Sequence, residues 1–283
     1  MTQLSGKTVL ITGASSGIGL EAAVKLARLG AQVAMVARDP AKGEAALAEV
    51  KTRSASQAVS LLLCDFASQA AIRALASDYR ARYERLDVLV NNAGSVSYRR
   101  ETTVDGLERT FAVNHLGYFL LTHLLLDVLE KSAPARVVNV TSTGHRQGDM
   151  DFDNLQFEQG GYRIMKAYCR SKLGNVLFTT ELARRLAGKG VTVNCVHPGS
   201  VATKIWSRAP WFARPILAVA KRFMLTPEQG GDTIVYLATS PELEGQTGGY
   251  YEGDRRVDPA RLARDPALAR KLWDVSAKLV KLT

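Results

Sequence analysis

Two pairs of residues in this sequence have the types and spacing for proton chemistry. Tyr168 and Lys172 stand four positions apart, and so do Tyr162 and Lys166. On a helix, positions i and i+4 share a face, which sets an ammonium beside a phenol. A free phenol has a pKa of about 10, too high for proton transfer at neutral pH. A fixed positive charge nearby favours the phenolate and lowers that value. A tyrosine general acid/base requires this arrangement. Six residues turn a helix by about 240°, so the two pairs cannot face one site. Tyr162 follows Gly160-Gly161 at the start of the helical pattern, whereas Tyr168 lies inside it. Spacing alone does not choose between them.

A second kind of chemistry is phosphate binding. The run Thr12-Gly13-Ala14-Ser15-Ser16-Gly17-Ile18-Gly19 follows the apolar Val9-Leu10-Ile11 and leads into the amphipathic stretch Leu20–Leu29, closed by Gly30. Strand, glycine turn and helix in that order form an anion site. The glycines let the backbone approach, and the unpaired N–H groups and dipole of the helix favour negative charge. The spacing Gly-x-x-x-Gly-x-Gly is a variant of the dinucleotide fingerprint. The next strand ends Ala37-Arg38-Asp39. An acid at this place binds a ribose 2′-hydroxyl, whereas an Arg accepts a 2′-phosphate. Ala37 is neutral, Arg38 has phosphate-matching geometry, and Asp39 before Pro40 can cap the following helix. NADP(H) is therefore expected over NAD(H), the other reading being that Asp39 takes the acidic role and Arg38 is only solvated.

Other polar residues stand where apolar runs end. Asp65, followed by Phe66, could accept from an adenine amino group or simply start a helix. Asn91-Asn92-Ala93-Gly94 offers amides that can tie strands together and a small Ala-Gly pair that lets a flat ring approach; a plain Asx turn fits equally. Asn114 sits in an almost wholly apolar stretch, Phe111–Thr122, and needs partners there, either backbone or a held water. Ser142 ends the fifth apolar run. His197-Pro198-Gly199 ends the sixth, and the backbone of the loop it opens could reach a carboxamide.

These positions need a scaffold that gathers them. Strands are expected near 7–12, 32–37, 58–63, 86–90, 135–141, 191–196 and 249–251, with helices near 17–29, 41–53, 68–84, 104–131, 162–188 and 227–239. That alternation implies right-handed βαβ units: an α/β fold with one doubly wound parallel sheet of about seven strands and helices on both faces. Ligands then bind at the carboxyl ends of the strands, at the switch point. The 283 residues are 46% hydrophobic and 23% charged, an ordinary soluble composition with no linker or repeat, so one domain over 1–283 is expected. No apolar run is long enough to span a bilayer, and Met1–Lys7 leaves no room for a signal peptide. Three scattered cysteines suit a reducing, cytoplasmic setting, and the four histidines lack metal-ligand spacing, so no metal is expected.

The net charge of +10 lies in two late segments, 200–227 and 255–283, each contributing five net positive charges while the rest of the chain balances. Segment 200–226 mixes Trp206, Trp211, Phe212 and Phe223 with cations and no acid. It is expected to be a substrate lid; its charge, with that of a basic tail over 255–283, reads first as a solvated basic face over ordinary core packing, and as the alternative a peripheral contact for an anionic membrane. No nucleic-acid recognition motif accompanies the charge.

Taken in order, the Thr12–Gly19 turn, Asp65, Asn91–Gly94, Asn114, Ser142, Tyr168/Lys172 and Pro198-Gly199 resemble the short-chain dehydrogenase/reductase family over residues 5–255. The stretches Phe111–Gly117 and Ala167–Thr179 are similar to its retinol dehydrogenase / WW-domain oxidoreductase-like branch, as is the long Ser142–Tyr168 separation with an insertion at 143–161. An N-terminal membrane anchor and a WW domain, seen in parts of that branch, are not evident. The resemblance implies a Rossmann fold and a catalytic set of Ser142, Tyr168, Lys172 and Asn114. It also chooses Tyr168, because the family pattern has Ser before the Lys, as Ser171 is. Implied cofactor contacts are Gly13, Ser15, Ser16, Gly17, Ile18, Gly19, Arg38, Asp65, Phe66, Asn92, Ala93, Gly94, Tyr168, Lys172, Pro198, Gly199, Val201 and Thr203. The implied activity is hydride transfer between NADP(H) and a lipophilic carbonyl or alcohol. A non-catalytic NADP(H)-binding sensor is the alternative. The implied assembly is a homodimer or homotetramer through the 104–131 and 162–188 helices.

Overall fold

The computed structural model describes residues 4–199 and 225–282. The strands are β1 (Thr8–Thr12), β2 (Gln32–Ala37), β3 (Val59–Leu63), β4 (Val88–Asn91), β5 (Ala135–Val140), β6 (Val191–His197), β7 (Tyr250–Glu252) and β8 (Arg255–Arg256). They form one sheet in the order β3-β2-β1-β4-β5-β6-β7-β8, parallel except for the last pair. Seven strands stand where the apolar runs place them. The eighth, a two-residue antiparallel edge, is too short for any periodic signal.

Side chains along β1 alternate between two cores. Val9 and Ile11 pack with Met35, Ala23 and Ile234 on one face, while Leu10 joins Val36, Leu75 and Phe119 on the other. Both faces are covered, which is why the strands read as unbroken apolar runs. Helices α1 (Gly17–Arg28), α2 (Pro40–Ser54) and α3 (Gln69–Arg82) follow the first three strands. α2 is capped by Asp39, whose carboxylate accepts from the Lys42 N–H, with Pro40 next in line.

The run expected as one helix over 104–131 is broken. Residues 103–107 form a tight turn closed by Thr103 N–H to the Leu107 carbonyl at 2.8 Å. The buried Glu108 carboxylate then caps α4 (Arg109–Phe111), accepting from the Thr110 and Phe111 N–H groups at 2.7 Å each. A π-helical turn, Ala112–Leu116, follows before α5 (Gly117–Leu124) and α6 (Leu126–Lys131). The apolar pattern runs through these breaks because all the pieces lie in the same core, so periodicity could not reveal them. Helix α7 (Ile164–Arg185) begins two residues later than expected, which leaves Tyr162 outside it.

Helix α8 (Pro227–Thr239) carries a capping box between Thr226 and Gln229. The segment expected as a basic tail is ordered structure instead. After β8 comes a 3-10 turn, Arg261–Arg264, and then α9 (Pro266–Leu279), capped by Asp265. Leu272, Trp273, Ser276 and Ala277 of α9 are buried, while Arg270, Lys271, Asp274 and Lys278 face outward. Most of the lid expected at 200–226 lies outside the described residues. Among the described residues no helix is long and apolar enough to cross a membrane.

Candidate active site

The strand order reverses between β1 and β4, and the candidate residues collect at the carboxyl ends of the strands on either side. The glycine turn after β1 is pressed against the loop after β4. A Cβ on Gly13, whose φ is +68°, would meet the Ala93 Cα at 2.8 Å. A Cβ on Gly19 would meet the Asn92 amide nitrogen at 2.5 Å. Asn92 Nδ2 donates to the Thr12 carbonyl at 2.8 Å and the Gly13 carbonyl at 3.2 Å, and Thr12 Oγ1 accepts from the Asn92 and Ala93 N–H groups. Asn91 Nδ2 bridges to Thr122 and to Asn139 on β5. The two asparagines therefore tie strands together, as their types suggested.

The turn leaves an open helix end. Ser16 precedes α1 without a capping bond, and the first turn of α1 holds no acid. Its N–H groups stand beside exposed Ser16 and partly exposed Ser15, Gly17 and Ile18. A diphosphate fits this cradle by shape and by charge. Arg38 is exposed just past β2, and Asp39 is occupied with α2. Asp65 accepts from the Ala67 N–H at 3.0 Å in a local turn. Phe66 is different: its ring is buried against Gly117. Gly94 is exposed, and Pro198 and Gly199 close β6. Val201 and Thr203 lie outside the described residues.

Ser142 lies two residues past β5 and caps a 3-10 turn, Thr143–Gln147, its Oγ accepting from the Gly144 N–H at 3.1 Å. This turn lies directly on α7. A Cβ at Gly144 would sit 3.4 Å from both Ser142 Oγ and Tyr168 Cε1 and 3.3 Å from Cys169 Sγ. Gly144 therefore lies in close contact with the serine, the tyrosine and the cysteine together. The half-buried Tyr168 hydrogen-bonds Ser142; burial raises its phenol above the ordinary range and the serine partly offsets this. One turn on, Lys172 is buried with its Nζ donating to the Val140 carbonyl at 3.0 Å and 5.7 Å from the centre of the Tyr168 ring. Burial pushes its ammonium down to about 8. In this state desolvation, not charge, therefore governs both groups.

The competing pair is accounted for elsewhere. Tyr162 donates to the Ser97 carbonyl at 2.6 Å, and Lys166 pairs with Asp149 at 3.3 Å. Asn114 lies in the π-helical turn, fully buried. Its Oδ1 accepts from the Ser95 N–H, and its Nδ2 donates to the Ser95 carbonyl and to Ser171 Oγ at 3.1 Å. Ser171 in turn donates to the Tyr168 carbonyl at 2.7 Å. The asparagine thus joins the loop after β4 to the tyrosine's own helix.

Two residues around this set were not singled out. Arg170, two places after Tyr168, is buried and holds the insertion: it forms a two-bond pair with Asp149, donates to the carbonyls of Asn154 and Leu155, and stacks 4.1 Å above the Phe157 ring. His145 lies in the Ser142 turn with both ring nitrogens engaged. A buried cation inside an apolar helix face was the available signal for the first; the second had none beyond its nearness to Ser142.

Residues 7–210 match the family model for short chain dehydrogenase. The chain is 44% identical over 280 residues to human retinol dehydrogenase 11, covering 99% of this chain and 87% of that one. Human retinol dehydrogenase 14 is likewise 44% identical over 295 residues, covering 99% and 88%. Among solved structures, an uncharacterized protein from Mycobacterium paratuberculosis superposes with a TM-score of 0.80 at 34% identity, over 98% of this chain and 94% of that one. A short-chain dehydrogenase/reductase from Burkholderia xenovorans gives a TM-score of 0.73 at 27% identity, over 90% and 97%. The sheet order, the glycine cradle and these likenesses agree: this chain belongs to the short-chain dehydrogenase family, as a retinol dehydrogenase-like oxidoreductase that uses a nicotinamide cofactor.

Proposed function

We propose that the protein is an NADP(H)-dependent reductase and dehydrogenase of lipophilic aldehydes, ketones and alcohols, with Tyr168 as its general acid/base. The observation that carries this reading is the meeting of Ser142 and Tyr168 beside Gly144, with Lys172 one helical turn behind. When bound, the dinucleotide supplies or accepts the hydride. Tyr168 gives its phenolic proton to the substrate oxygen in reduction and takes it back in oxidation. Ser142 donates a hydrogen bond to that oxygen as charge develops on it. Lys172, charged below about pH 8, stabilises the phenolate left behind and would hold the nicotinamide ribose. Asn114 acts mainly by position, since its side chain is already committed to Ser95 and Ser171.

The preference for NADP(H) rests on Arg38, which is exposed past β2, and on Asp39, which is turned away into a helix cap. The lipophilic substrate class rests on the names of the relatives and on the aromatic residues of segment 200–226. Turnover of Tyr168→Phe against Tyr162→Phe tests the assignment. The first should lose about 10²–10⁴-fold or more in kcat, and the second should keep most of its activity. Full activity in Tyr168→Phe would overturn the reading. A panel of retinal, fatty aldehydes, steroids and quinones with NADPH and NADH identifies the substrate class.

A further inference from the structure

We propose that His145 is a positioning residue for Ser142 and that it ties the serine's peptide to the carboxyl-terminal arm of the chain. The inference rests on the reading of Ser142 and Tyr168 as the proton machinery, and it adds a residue that reading does not include.

Ser142 is presented by a five-residue turn with Gly144 inside it and Gly148 just after it. The Gly144 N–H holds the hydroxyl from within the turn, and the serine's own carbonyl needs a separate restraint. His145 supplies the restraint. Its backbone N–H donates to the Ser142 carbonyl at 3.0 Å, and its ring Nδ1 lies 2.7 Å from the same oxygen. On the far side of the ring, Nε2 faces the backbone N–H of Ala260 at 3.1 Å. A backbone N–H can only donate, so Nε2 is the acceptor and Nδ1 carries the proton. The hydrogen bonds thus fix the neutral tautomer, and Nδ1–H donates to the serine's carbonyl. The ring is fully buried, with its centre 4.6 Å from that of Tyr250 on β7.

Arg146 completes the clasp. Its Nη2 reaches Glu252 Oε1 and the Asp258 carbonyl, each at 3.1 Å. Adjacent residues of the Ser142 turn therefore grip the chain from the end of β7 to Ala260 at three points. Both imidazole nitrogens are engaged in these bonds, so His145 has no free proton position to offer a substrate. Its effect passes through Ser142: with the carbonyl held, the serine's Oγ stays against Tyr168.

The two ring bonds can be separated by substitution. In His145→Asn the amide nitrogen stands about where Nδ1 does and keeps the donor to Ser142. In His145→Gln the amide reaches about as far as Nε2 and keeps only the Ala260 side. The experiment measures kcat, KM for NADPH and dinucleotide affinity by fluorescence titration for wild type, both variants and Ser142→Ala. His145→Asn should stay near wild-type kcat, whereas His145→Gln should lose about 10- to 100-fold, the scale of a small misplacement of a reacting group. Dinucleotide affinity and KM for NADPH should be unchanged in both. Equal loss or equal retention of kcat in Asn and Gln overturns the proposal, as does loss of dinucleotide binding together with kcat in Gln. Ser142→Ala separates the two readings: if it retains full turnover, the role of Ser142 itself fails.

Discussion

Lys172 and Tyr168 are pushed in opposite directions by the same cause. Burial disfavours the charged form of each, so the phenol is held as an acid and the ammonium is lowered to about 8. Reduction requires the protonated tyrosine and a charged lysine, and both hold below pH 8. The kcat/KM for NADPH, which reports the free enzyme, should therefore fall as pH rises through about 8. A profile flat from pH 7 to well above 9 would remove Lys172 from the mechanism. At the other end of the cofactor site, Arg38→Ala should raise KM for NADPH by roughly 10- to 150-fold, since a hydrogen bond to a charged group is worth about 1.5–3 kcal/mol. Kinetics with NADH should not move. Equal effects on both dinucleotides would show that Arg38 does not meet the 2′-phosphate.

At the scale of elements, the insertion between Ser142 and Tyr168 is held to α7 by one buried cation. Arg170 is 1% exposed while its partner Asp149 is 40% exposed. Removing the guanidinium leaves the Asn154 and Leu155 carbonyls without this donor and leaves Asp149 with Lys166 alone. Arg170→Leu should then cost about 3 kcal/mol, the low end for breaking a buried pair whose other member stays wetted. Urea unfolding measures this, and Arg170→Lys should rescue little, because an ammonium cannot reproduce the two-bond fork or the stack on Phe157. A change below about 0.5 kcal/mol in Arg170→Leu, ordinary for a surface site, would refute the clamp. This clamp also marks where sequence reading stopped. Strands and the glycine turn were legible because they depend on neighbours in sequence: apolar runs, φ-permissive residues and caps. The π-helical turn at Ala112–Leu116 was not, since tertiary packing of Asn114 and Gly117 sets it and the apolar pattern continues through it. Tyr168 could not be told from Tyr162 by spacing, because the choice lies in what each hydroxyl meets across the fold, Ser142 in one case and the Ser97 carbonyl in the other.

For the whole molecule, the decisive addition is α9. Its composition suggested a basic tail because its cations all face out, while its apolar stripe is narrow. That stripe covers the same α5 and α7 segments that the family resemblance offered as subunit contacts. Trp273 sits 4.9 Å from Phe119, 5.1 Å from His123 and 6.0 Å from Phe178, ring centre to ring centre, with the Arg185 guanidinium 4.2 Å from its own ring centre. A subunit contact on these two helices would therefore have to use the faces α9 leaves free. Trp273→Ala should cost about 3–5 kcal/mol, as for other large buried aromatics. A second link makes the docking sensitive to acid. His115 Nε2 lies 3.0 Å from Ser276 Oγ, and burial lowers this imidazole to about 4. An unfolded histidine titrates near 6.5. The folded value is depressed, so the unfolded chain takes up the proton first, and the stability is present above about 6.5 and lost as pH falls toward 4. The slope approaches roughly 1.4 kcal/mol per pH unit within that window. The double variant His115→Phe/Ser276→Ala keeps an aromatic ring among Phe111, Phe119 and Phe178 and leaves no buried hydroxyl unpaired. Urea unfolding from pH 7 to pH 4.5 should show the slope shallower by that amount in the double variant than in the parent. Parallel curves would mean that the buried imidazole does not set the acid limit of the fold.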